Sequence, residues 1–194
     1  MKIIRPVSKN PLPKNAKLVF KGKIFDVYQW PQKQYDGTTV VFEKLGRPDF
    51  VSVVIIDKDN QIILGKQSQP NRKEFIGCFG GRLEKDEDPL TGAKRELMEE
   101  TGYAAGKWEI WFSGQTYDKI DCAAYTFITR DLKKVSGQRL DAGEKIKLKK
   151  VSFDEFLKIA ATEKFRDREV SLHIFRIMSD PKKFKEMKKL FLSL

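Results

Sequence analysis

Histidine and cysteine are scarce in this 194-residue chain, which has one histidine, His173, and two cysteines, Cys78 and Cys122. A single imidazole excludes zinc sites that need several histidines, and it confines Ser-His-Asp chemistry to a triad built on His173 itself. We expect this ring to pack or hydrogen-bond on a C-terminal helix instead. The two cysteines form neither a disulfide framework nor a C-x-x-C pair. This usage fits a reducing cytosol, so we expect a cytoplasmic protein.

Long apolar runs are also missing. No segment has the roughly 18 consecutive apolar residues of a membrane span, and residues 1–17 lack the apolar run of a signal peptide. We therefore expect no membrane partner. The composition, with 40% hydrophobic and 34% charged residues, is that of an ordinary globular protein. The length suits one domain plus an extension, with a sizeable buried core.

Acidic residues are outnumbered, and the formal net charge is +11. The segment 84–100 departs from this balance, with seven acids against three bases: Glu84, Asp86, Glu87, Asp88, Glu96, Glu99 and Glu100 against Lys85, Lys94 and Arg95. An acidic island in a basic protein suggests a cation site, and the surrounding positive field would attract a polyanion such as a diphosphate. Nucleic acid is a less favoured partner, and simple solubilisation by lysines is an equally good account of the charge.

The same segment predicts a short helix. Asp88 is a good N-cap, Pro89 suits the first helical position, and Gly102 suits the left-handed cap at the end. Three apolar residues recur between them at helical spacing and should face a core: Leu90, Ala93 and Leu97.

Three glutamates share this helix. Glu96 and Glu100 are four residues apart and lie on one face, with Glu99 beside them. Like charges at this spacing repel one another, so the cluster needs a counter-charge unless it is simply a solvated face. Clustered hard oxygen ligands suit Mg²⁺, with Mn²⁺ as the alternative.

Residues 81–103 fit the pattern G-x5-E-x7-R-E-U-x-E-E-x-G-U, where U is bulky and apolar or aromatic. A chance match in a chain of this length is on the order of one in ten million. The segment resembles the signature box of the Nudix hydrolases at all nine defined positions. The resemblance implies an α/β fold, a Nudix-type α/β/α sandwich with a mixed β-sheet, in which the box forms a loop–helix–loop. It also implies metal-dependent hydrolysis of a nucleoside diphosphate linked to another group.

Carried over residue by residue, the resemblance makes Glu96 and Glu100 the main metal ligands, with Glu99 assisting and the carbonyl of Gly80 completing the shell. Glu99 and Glu100 are also expected among the catalytic residues. Arg95 would orient the glutamates as part of the catalytic set. Glu87 would pair with Arg95 first and contact substrate second.

The N-terminal part should be a small antiparallel β extension. Residues 18–45 are rich in Val, Phe, Tyr and Thr, and Asp36-Gly37 predicts a hairpin turn. Gly46-Arg47-Pro48 marks a boundary, which divides the chain into 1–48 and a Nudix domain at 49–194. So few strands cannot form a core alone, so we expect them to pack on the main domain or on a second copy in a homodimer.

The main domain should alternate strands and helices. Five segments predict its strands: VSVVIID, QIILGKQ, WEIWFSG, AAYTFITRDL and KIKLKKV. The first two should be buried on both faces, and long loops should follow the third and fourth. Ser152 and Glu155 form a capping box for a first C-terminal helix, and two more helices should span about 168–178 and 181–191.

Less specific sequence features outside the signature box resemble one branch of the family, the ADP-ribose pyrophosphatases and related nucleotide-sugar hydrolases. The extension and the stretch DAGEKIKLKKVSFDEFLKI are similar to that branch, and its acidic loop places the general base at Glu144, with Asp141 as alternative. The chain departs from this branch at two points. Gln69 stands where the branch commonly has an arginine, and we expect the nearby Arg72 to contact substrate. A proline typical of ADP-ribose specificity is absent from WFSGQTYDKID.

Trp30 is our candidate for stacking a nucleobase. It shares a strand face with Tyr28, and Pro31 should end the strand beside it, whereas Phe25 should pack on the opposite face. Core packing is the competing interpretation for all three rings.

Three functions remain open at this stage. The leading one is Mg²⁺-dependent cleavage of ADP-ribose or a related nucleoside diphosphate sugar to a nucleoside monophosphate and a sugar phosphate. The second is a Nudix hydrolase of RNA 5′ ends or of nucleoside triphosphates, favoured by the positive charge. The third is a non-catalytic nucleotide-sensing module, which the complete set of box glutamates argues against.

Overall fold

The structure, a computed structural model, describes residues 3–192 and contains nine strands and four helices in that range. The strands are β1 (Lys17–Lys21), β2 (Asp26–Lys33), β3 (Thr39–Gly46), β4 (Phe50–Ile56), β5 (Ile62–Ser68), β6 (Phe75–Gly77), β7 (Tyr103–Tyr117), β8 (Ile120–Lys134) and β9 (Lys145–Val151). The helices are α1 (Pro89–Thr101), α2 (Phe153–Ala160), α3 (Arg168–Met178) and α4 (Pro181–Leu192).

All nine strands belong to one mixed sheet. Its main path runs β1-β2-β3-β8-β4-β5-β6, with β7 paired to β8 and β9 paired to β5. β8 is parallel to β4 and antiparallel to β7, while β4 and β5 are antiparallel. No helix among the described residues is long and apolar enough to span a membrane.

Helices cover both faces of the sheet, as expected for the α/β/α sandwich. Side chains alternate along β4, so Val53 and Ile55 join the core under α1 while Val54 and Ile56 join the core under α2, α3 and α4. This explains why the segment is almost uniformly apolar and confirms that it is buried on both faces. His173 lies in the second layer, stacked on Phe112 with ring centroids 4.0 Å apart, as expected for a packing residue.

The N-terminal extension forms a three-stranded antiparallel unit as predicted, with a turn at Asp36-Gly37 between β2 and β3. It joins the main sheet where Leu45 and Gly46 pair with the start of β8. The division of the chain at residue 48 stays a prediction, because strands on both sides of it belong to one sheet.

Two local expectations are wrong. The third predicted strand of the main domain is not followed by a long loop, because β7 continues to Tyr117 and turns directly into β8 at Asp118-Lys119. Pro31 does not end its strand, because β2 continues to Lys33. β1 pairs only with residues 26–29 of β2, so one edge of β2 is unpaired at Pro31. A proline, which has no N–H to donate, is tolerated at such an edge.

Candidate functional site

A cavity of about 900 Å³ opens beside the box helix. Its walls come from several segments, including the start of β4, the glycine loop before α1, the turn between β7 and β8, the loop between β8 and β9, and the start of α3. A concave site where several elements converge is the usual location of a ligand pocket. The box glutamates Glu96, Glu99 and Glu100, together with Glu144, line it.

Helix α1 begins and ends as its sequence predicts. The Asp88 carboxylate accepts hydrogen bonds from the N–H groups of Leu90 and Thr91, and Gly102 adopts the left-handed conformation at φ 70°. Ala93 and Leu97 are completely buried against the sheet. Their burial fixes the rotation of α1, which turns Glu96 and Glu100 toward the cavity.

Two glycines bring the backbone close to these carboxylates. The N–H of Gly80 donates to Glu100 Oε2 at 2.7 Å. A Cβ atom at Gly81 would lie 2.7 Å from Glu96 Oε1, so any larger residue would displace that carboxylate. The carbonyl of Gly80 accepts no hydrogen bond from the residues that the structure describes, which leaves it available as a ligand.

Arg95 connects the acidic residues of the box. Its Nε and Nη2 bind the two carboxylate oxygens of Glu87 at 2.9 and 3.0 Å, and its Nη1 lies 2.8 Å from Glu96 Oε1 and 3.1 Å from Glu99 Oε2. One guanidinium thus binds three carboxylates, one of them in bidentate fashion. It supplies the positive charge that the glutamate cluster requires.

The environment separates the pKa values of these carboxyls. Burial raises the pKa of Glu100 to about 8, against the opposing hydrogen bond from Gly80 and with a contribution from the nearby charge of Glu96. Burial also raises the pKa of Glu96, despite the ion pair with Arg95. For Glu87 the hydrogen bonds from Arg95 dominate and lower the pKa.

This donor set suits a hard divalent cation. Glu96, Glu99, Glu100 and the free carbonyl of Gly80 are the oxygen ligands that such ions prefer, and a bound cation would offset the cost of ionising Glu100. Across residues 3–192, no three acidic, cysteine or histidine side chains converge closely enough to hold an ion as they stand. In this structure Arg95 binds the carboxylates of Glu96 and Glu99, and the N–H of Gly80 binds that of Glu100.

Glu144 lies in the same cavity, and two contacts fix its loop. Gln69 Nε2 donates to Glu144 Oε1 at 3.0 Å. Gly143 has a φ of 95° and packs closely against the ring of Pro70. A Cβ atom at this position would lie only 3.0 Å from that ring. The alternative base, Asp141, also lines the cavity, and its carbonyl accepts the N–H of Glu144.

The other end of this loop is tied to α1. Arg139 donates its backbone N–H to the carbonyl of Glu99 at 2.7 Å, and the side-chain amide of Gln138 donates to the carbonyl of Glu100 at 2.7 Å. The candidate base is therefore held at a defined position relative to the box helix.

The three residues predicted to contact substrate lie in different places. Arg72 lines the cavity. Glu87 does not, because its carboxylate is occupied by Arg95 and by the N–H of Glu84. Trp30 also lies outside the cavity lining and is 6% exposed, packed on Phe42 with its indole N–H bonded to Gln32. Phe25, expected to pack, is exposed instead and lies beneath the guanidinium of Arg47.

Sequence reasoning missed several cavity residues. Arg47 follows Gly46 directly before the first core strand, and only its position at a predicted boundary could have drawn attention to it. Arg166 and Asp167 precede α3, where Asp167 looks like an ordinary N-cap. Its carboxylate instead turns inward and accepts bonds from Cys78 N–H and Ser52 O–H.

Comparison with known proteins identifies the family of the chain. The NUDIX domain family matches residues 46–173. Because that match covers most of the chain and includes the cavity with its box helix, the chain belongs to the Nudix hydrolase family.

Individual relatives narrow the resemblance. The chain is 28% identical over 162 residues to an ADP-ribose pyrophosphatase of Bacillus subtilis (strain 168). This match covers 80% of the present chain and 86% of the relative. It is 30% identical over 152 residues to a methanol dehydrogenase activator of Bacillus methanolicus, covering 77% and 82%. A solved structure of an ADP compounds hydrolase has the same fold, with a TM-score of 0.68 at 18% identity over 94% of this chain and 96% of that one.

Proposed function

We propose that this Nudix hydrolase cleaves the diphosphate of ADP-ribose, or of a closely related nucleoside diphosphate sugar, with Mg²⁺ as cofactor. The products would be a nucleoside monophosphate and a sugar phosphate. The observation that supports this most is that Glu96, Glu99 and Glu100 line one cavity together with Glu144, an acid from a separate loop. The similarity to the ADP-ribose pyrophosphatase supports the choice of substrate.

In this proposal the chain's residues have distinct roles. A divalent ion held by the box glutamates and the Gly80 carbonyl would supply charge stabilisation on the phosphate oxygens and acidify a water. Glu144, which Gln69 orients, accepts the proton of the attacking water. Arg95 keeps the glutamates in place, with Glu87 holding Arg95 from the other side. Arg72 lies where it can contact the substrate.

Product analysis across a panel of substrates tests the proposal. The panel contains ADP-ribose, ADP-glucose, GDP-mannose, NADH, dinucleoside polyphosphates, dNTPs and 5′-triphosphate RNA, each with and without Mg²⁺. We expect AMP and ribose 5-phosphate to form fastest, and only with the metal. Clear nucleotide binding without any turnover would instead support a sensing module.

Two variants link this activity to the site. Glu96→Gln and Glu100→Gln should each abolish hydrolysis with little loss of folding, because each removes one negative charge from the ligand set. Glu163→Gln, which alters an exposed acid outside the cavity, is the matched control. Near wild-type turnover in both box variants would refute the assignment of the metal site.

A hydrolase of RNA 5′ ends is the second candidate, and the cavity charge favours it. Seven arginines line the cavity: Arg47, Arg72, Arg82, Arg95, Arg139, Arg166 and Arg168. Within the described part of the chain, Arg95 alone of these is ion-paired. Six free guanidiniums suit a polyanion. Fastest turnover of 5′-triphosphate RNA in the same panel would favour this function over the first.

We also propose that the protein forms a homodimer through its N-terminal extension. Several large apolar side chains of β1 and β3 are solvent-exposed in the single chain, including Phe20 and Val41 at 61% and 71%. Exposed apolar patches of this kind usually mark interaction surfaces. Light scattering should give a dimer mass for the wild type and a monomer mass for Phe20→Glu. A monomeric wild type would refute the proposal.

For the location we propose the cytosol. Cys78 and Cys122 are both free and buried, so neither depends on an oxidising compartment.

A further inference from the structure

Asp167 is the N-cap residue of α3, but within the described chain its side chain makes no capping hydrogen bond to that helix. Capping carboxylates usually bind the free N–H groups of the first turn. The Asp167 carboxylate instead accepts the N–H of Cys78 at 2.8 Å and the hydroxyl of Ser52 at 3.3 Å. Asp167 is only 8% exposed, and it borders the cavity. The side chain therefore acts on Cys78 and Ser52 and not on its own helix.

The pairing of two backbone segments brings Asp167 to this place. Ile76 donates its N–H to the carbonyl of Lys164, and Arg166 donates its N–H to the carbonyl of Ile76, both at 2.8 Å. The segment before α3 thus lies parallel to β6. If this ladder continued, the N–H of Cys78 would donate to the carbonyl of Arg166. The chain turns into α3 at this point, and the Asp167 carboxylate accepts that N–H instead.

A second buried side chain binds the carbonyl of the same residue. Gln67 on β5 is 2% exposed, and its Nε2 donates to the carbonyl of Cys78 at 3.2 Å. The next residue, Phe79, exchanges two backbone hydrogen bonds with Val53 on β4, at 2.7 and 3.3 Å. Both polar groups of the Cys78 backbone are thus bound by side chains of other segments, and the chain after it is bound to the sheet.

Gly80 follows these contacts directly. It has a φ of 135°, which favours glycine, and a Cβ atom there would collide with the carbonyl of Val51. Its N–H donates to Glu100 at 2.7 Å, and the carbonyl of the following Gly81 accepts the N–H of Val51 at 2.9 Å. The backbone therefore has little room to turn at Gly80, and the direction of its carbonyl depends on where Cys78 and Phe79 are held.

We propose that Asp167 and Gln67 are positioning residues that fix the Gly80 carbonyl in the proposed metal site. Mg²⁺ demands nearly ideal octahedral geometry, so a backbone ligand must be held in one direction. Side chains behind the ligands commonly supply that constraint. The inference rests on the proposed function, because the Gly80 carbonyl is a metal ligand only there.

The burial of Asp167 agrees with such a role. Burial raises the pKa of this carboxyl, against the hydrogen bond from Cys78 and the charge of Arg166. A buried acid is costly, and an apolar residue of similar size often serves packing as well or better. The carboxylate therefore does more than fill space beside the cavity.

Mn²⁺ binding to the metal-free, full-length protein, followed by Mn²⁺ relaxation, tests the proposal without turnover. We expect Asp167→Ala to weaken Mn²⁺ binding about tenfold, because the N–H of Cys78 loses its acceptor. Asp167→Asn should bind Mn²⁺ like the wild type, since its side-chain oxygen can still accept that N–H and its amide can donate to Ser52. Rescue by asparagine distinguishes a positioning hydrogen bond from a direct effect of the negative charge.

Thr129→Val is the matched control. Thr129 is 1% exposed, and its hydroxyl donates to the carbonyl of Lys107 at 2.7 Å, outside the cavity lining. The substitution removes one buried hydrogen bond of the same sheet, so it should lower Tm and leave Mn²⁺ binding unchanged. All affinities are measured at a temperature where thermal unfolding shows each variant to be folded.

Two results would overturn the proposal. The first is an Mn²⁺ affinity of Asp167→Ala equal to that of Thr129→Val. The second is an affinity of Asp167→Asn as low as that of Asp167→Ala, because the charge and not the hydrogen bond would then matter. If Asp167→Ala does not fold, Gln67→Met decides, since it keeps the length of the side chain and removes the donor to Cys78. Weaker Mn²⁺ binding by Gln67→Met supports the positioning role, and unchanged binding refutes it.

Glu96→Gln separates this inference from the proposed function. If Glu96→Gln weakens Mn²⁺ binding and Asp167→Ala does not, the positioning role alone is refuted and the metal site stands. If Glu96→Gln binds Mn²⁺ like the wild type, the metal site of the proposed function is refuted, and the positioning role with it.

Discussion

Gln69 and Glu144, 75 residues apart in the chain, are joined by a 3.0 Å hydrogen bond. The sequence resemblance places Gln69 where an arginine is expected in this branch of the family. Its amide N–H fixes one oxygen of the candidate base and leaves the other free to accept a proton. The replacement therefore keeps a donor at this point while removing a charge.

Replacing Gln69 with leucine should lower kcat about tenfold with little change in KM. The carboxylate of Glu144 would lose its fixed orientation, and small misplacements of a reacting group are costly. Gln69→Arg should retain activity, because arginine offers a donor to the same oxygen. Steady-state kinetics on the fastest substrate measures both effects. An unchanged kcat in Gln69→Leu would show that the hydrogen bond does not position the base.

Arg95 should stabilise the fold as well as the site. Its guanidinium binds Glu87 through two hydrogen bonds and is only partly exposed. Arg95→Gln should lower the free energy of unfolding by about 2 kcal/mol, because it leaves several partly buried carboxylates without their cation. Urea unfolding of the metal-free protein measures this.

The pair Glu87 and Arg95 can be tested by a double-mutant cycle. Glu87→Gln combined with Arg95→Gln should cost less than the sum of the single changes, since both remove the same interaction. Strict additivity would mean that the two side chains act independently.

Glu100 should make the metal-free protein less stable as pH rises. Its pKa is about 8 when folded, against about 4.3 in an unfolded chain. Between these two pH values the folded state therefore binds more protons than the unfolded state. The contribution of protonated Glu100 to the free energy of unfolding is fully present below about pH 4.3 and is lost as pH rises through about 8.

Glu100→Gln removes this dependence because its side chain does not titrate. The free energy of unfolding of Glu100→Gln minus that of the wild type should increase by about 1 kcal/mol or more between pH 5 and pH 8 in EDTA. Glu163→Gln provides the control for a general charge effect. A difference that stays constant over this range would mean that Glu100 is not protonated in the folded protein.

Local sequence patterns accounted for most of the fold and for the box helix. Asp88, Pro89 and Gly102 each act within one or two turns of the chain, so their effect is visible without knowledge of the rest. Sequence patterns underestimate the extent of β7, because Gln115-Thr116-Tyr117 has no alternation of polar and apolar residues and the turn at Asp118-Lys119 contains no glycine or proline.

The parts of the site that could not be predicted depend on contacts between distant segments. Arg166 meets Phe75 only because the segment before α3 pairs with β6. Asp167 has the position of a helix cap but turns into the core, where Cys78 N–H needs an acceptor. Trp30 was a plausible stacking residue by its strand face, yet its burial depends on Phe42 across the hairpin.

The choice between Glu144 and Asp141 as general base can be made by matched variants. Both acids lie on the same loop and line the cavity, but within residues 3–192 only the Glu144 carboxylate accepts a side-chain hydrogen bond, from Gln69. Glu144→Gln keeps the size of the side chain and removes its capacity to accept a proton. We expect a large fall in kcat, about 100-fold, with a modest change in KM.

Asp141→Asn is the matched control, and its kcat should stay close to that of the wild type. Binding of the divalent ion, followed by Mn²⁺ relaxation, should be similar in the two variants, because neither residue belongs to the proposed ligand set. If Asp141→Asn lost activity while Glu144→Gln kept it, the base would be Asp141. The hydrogen bond from Gln69 would then serve only to close the loop over the cavity.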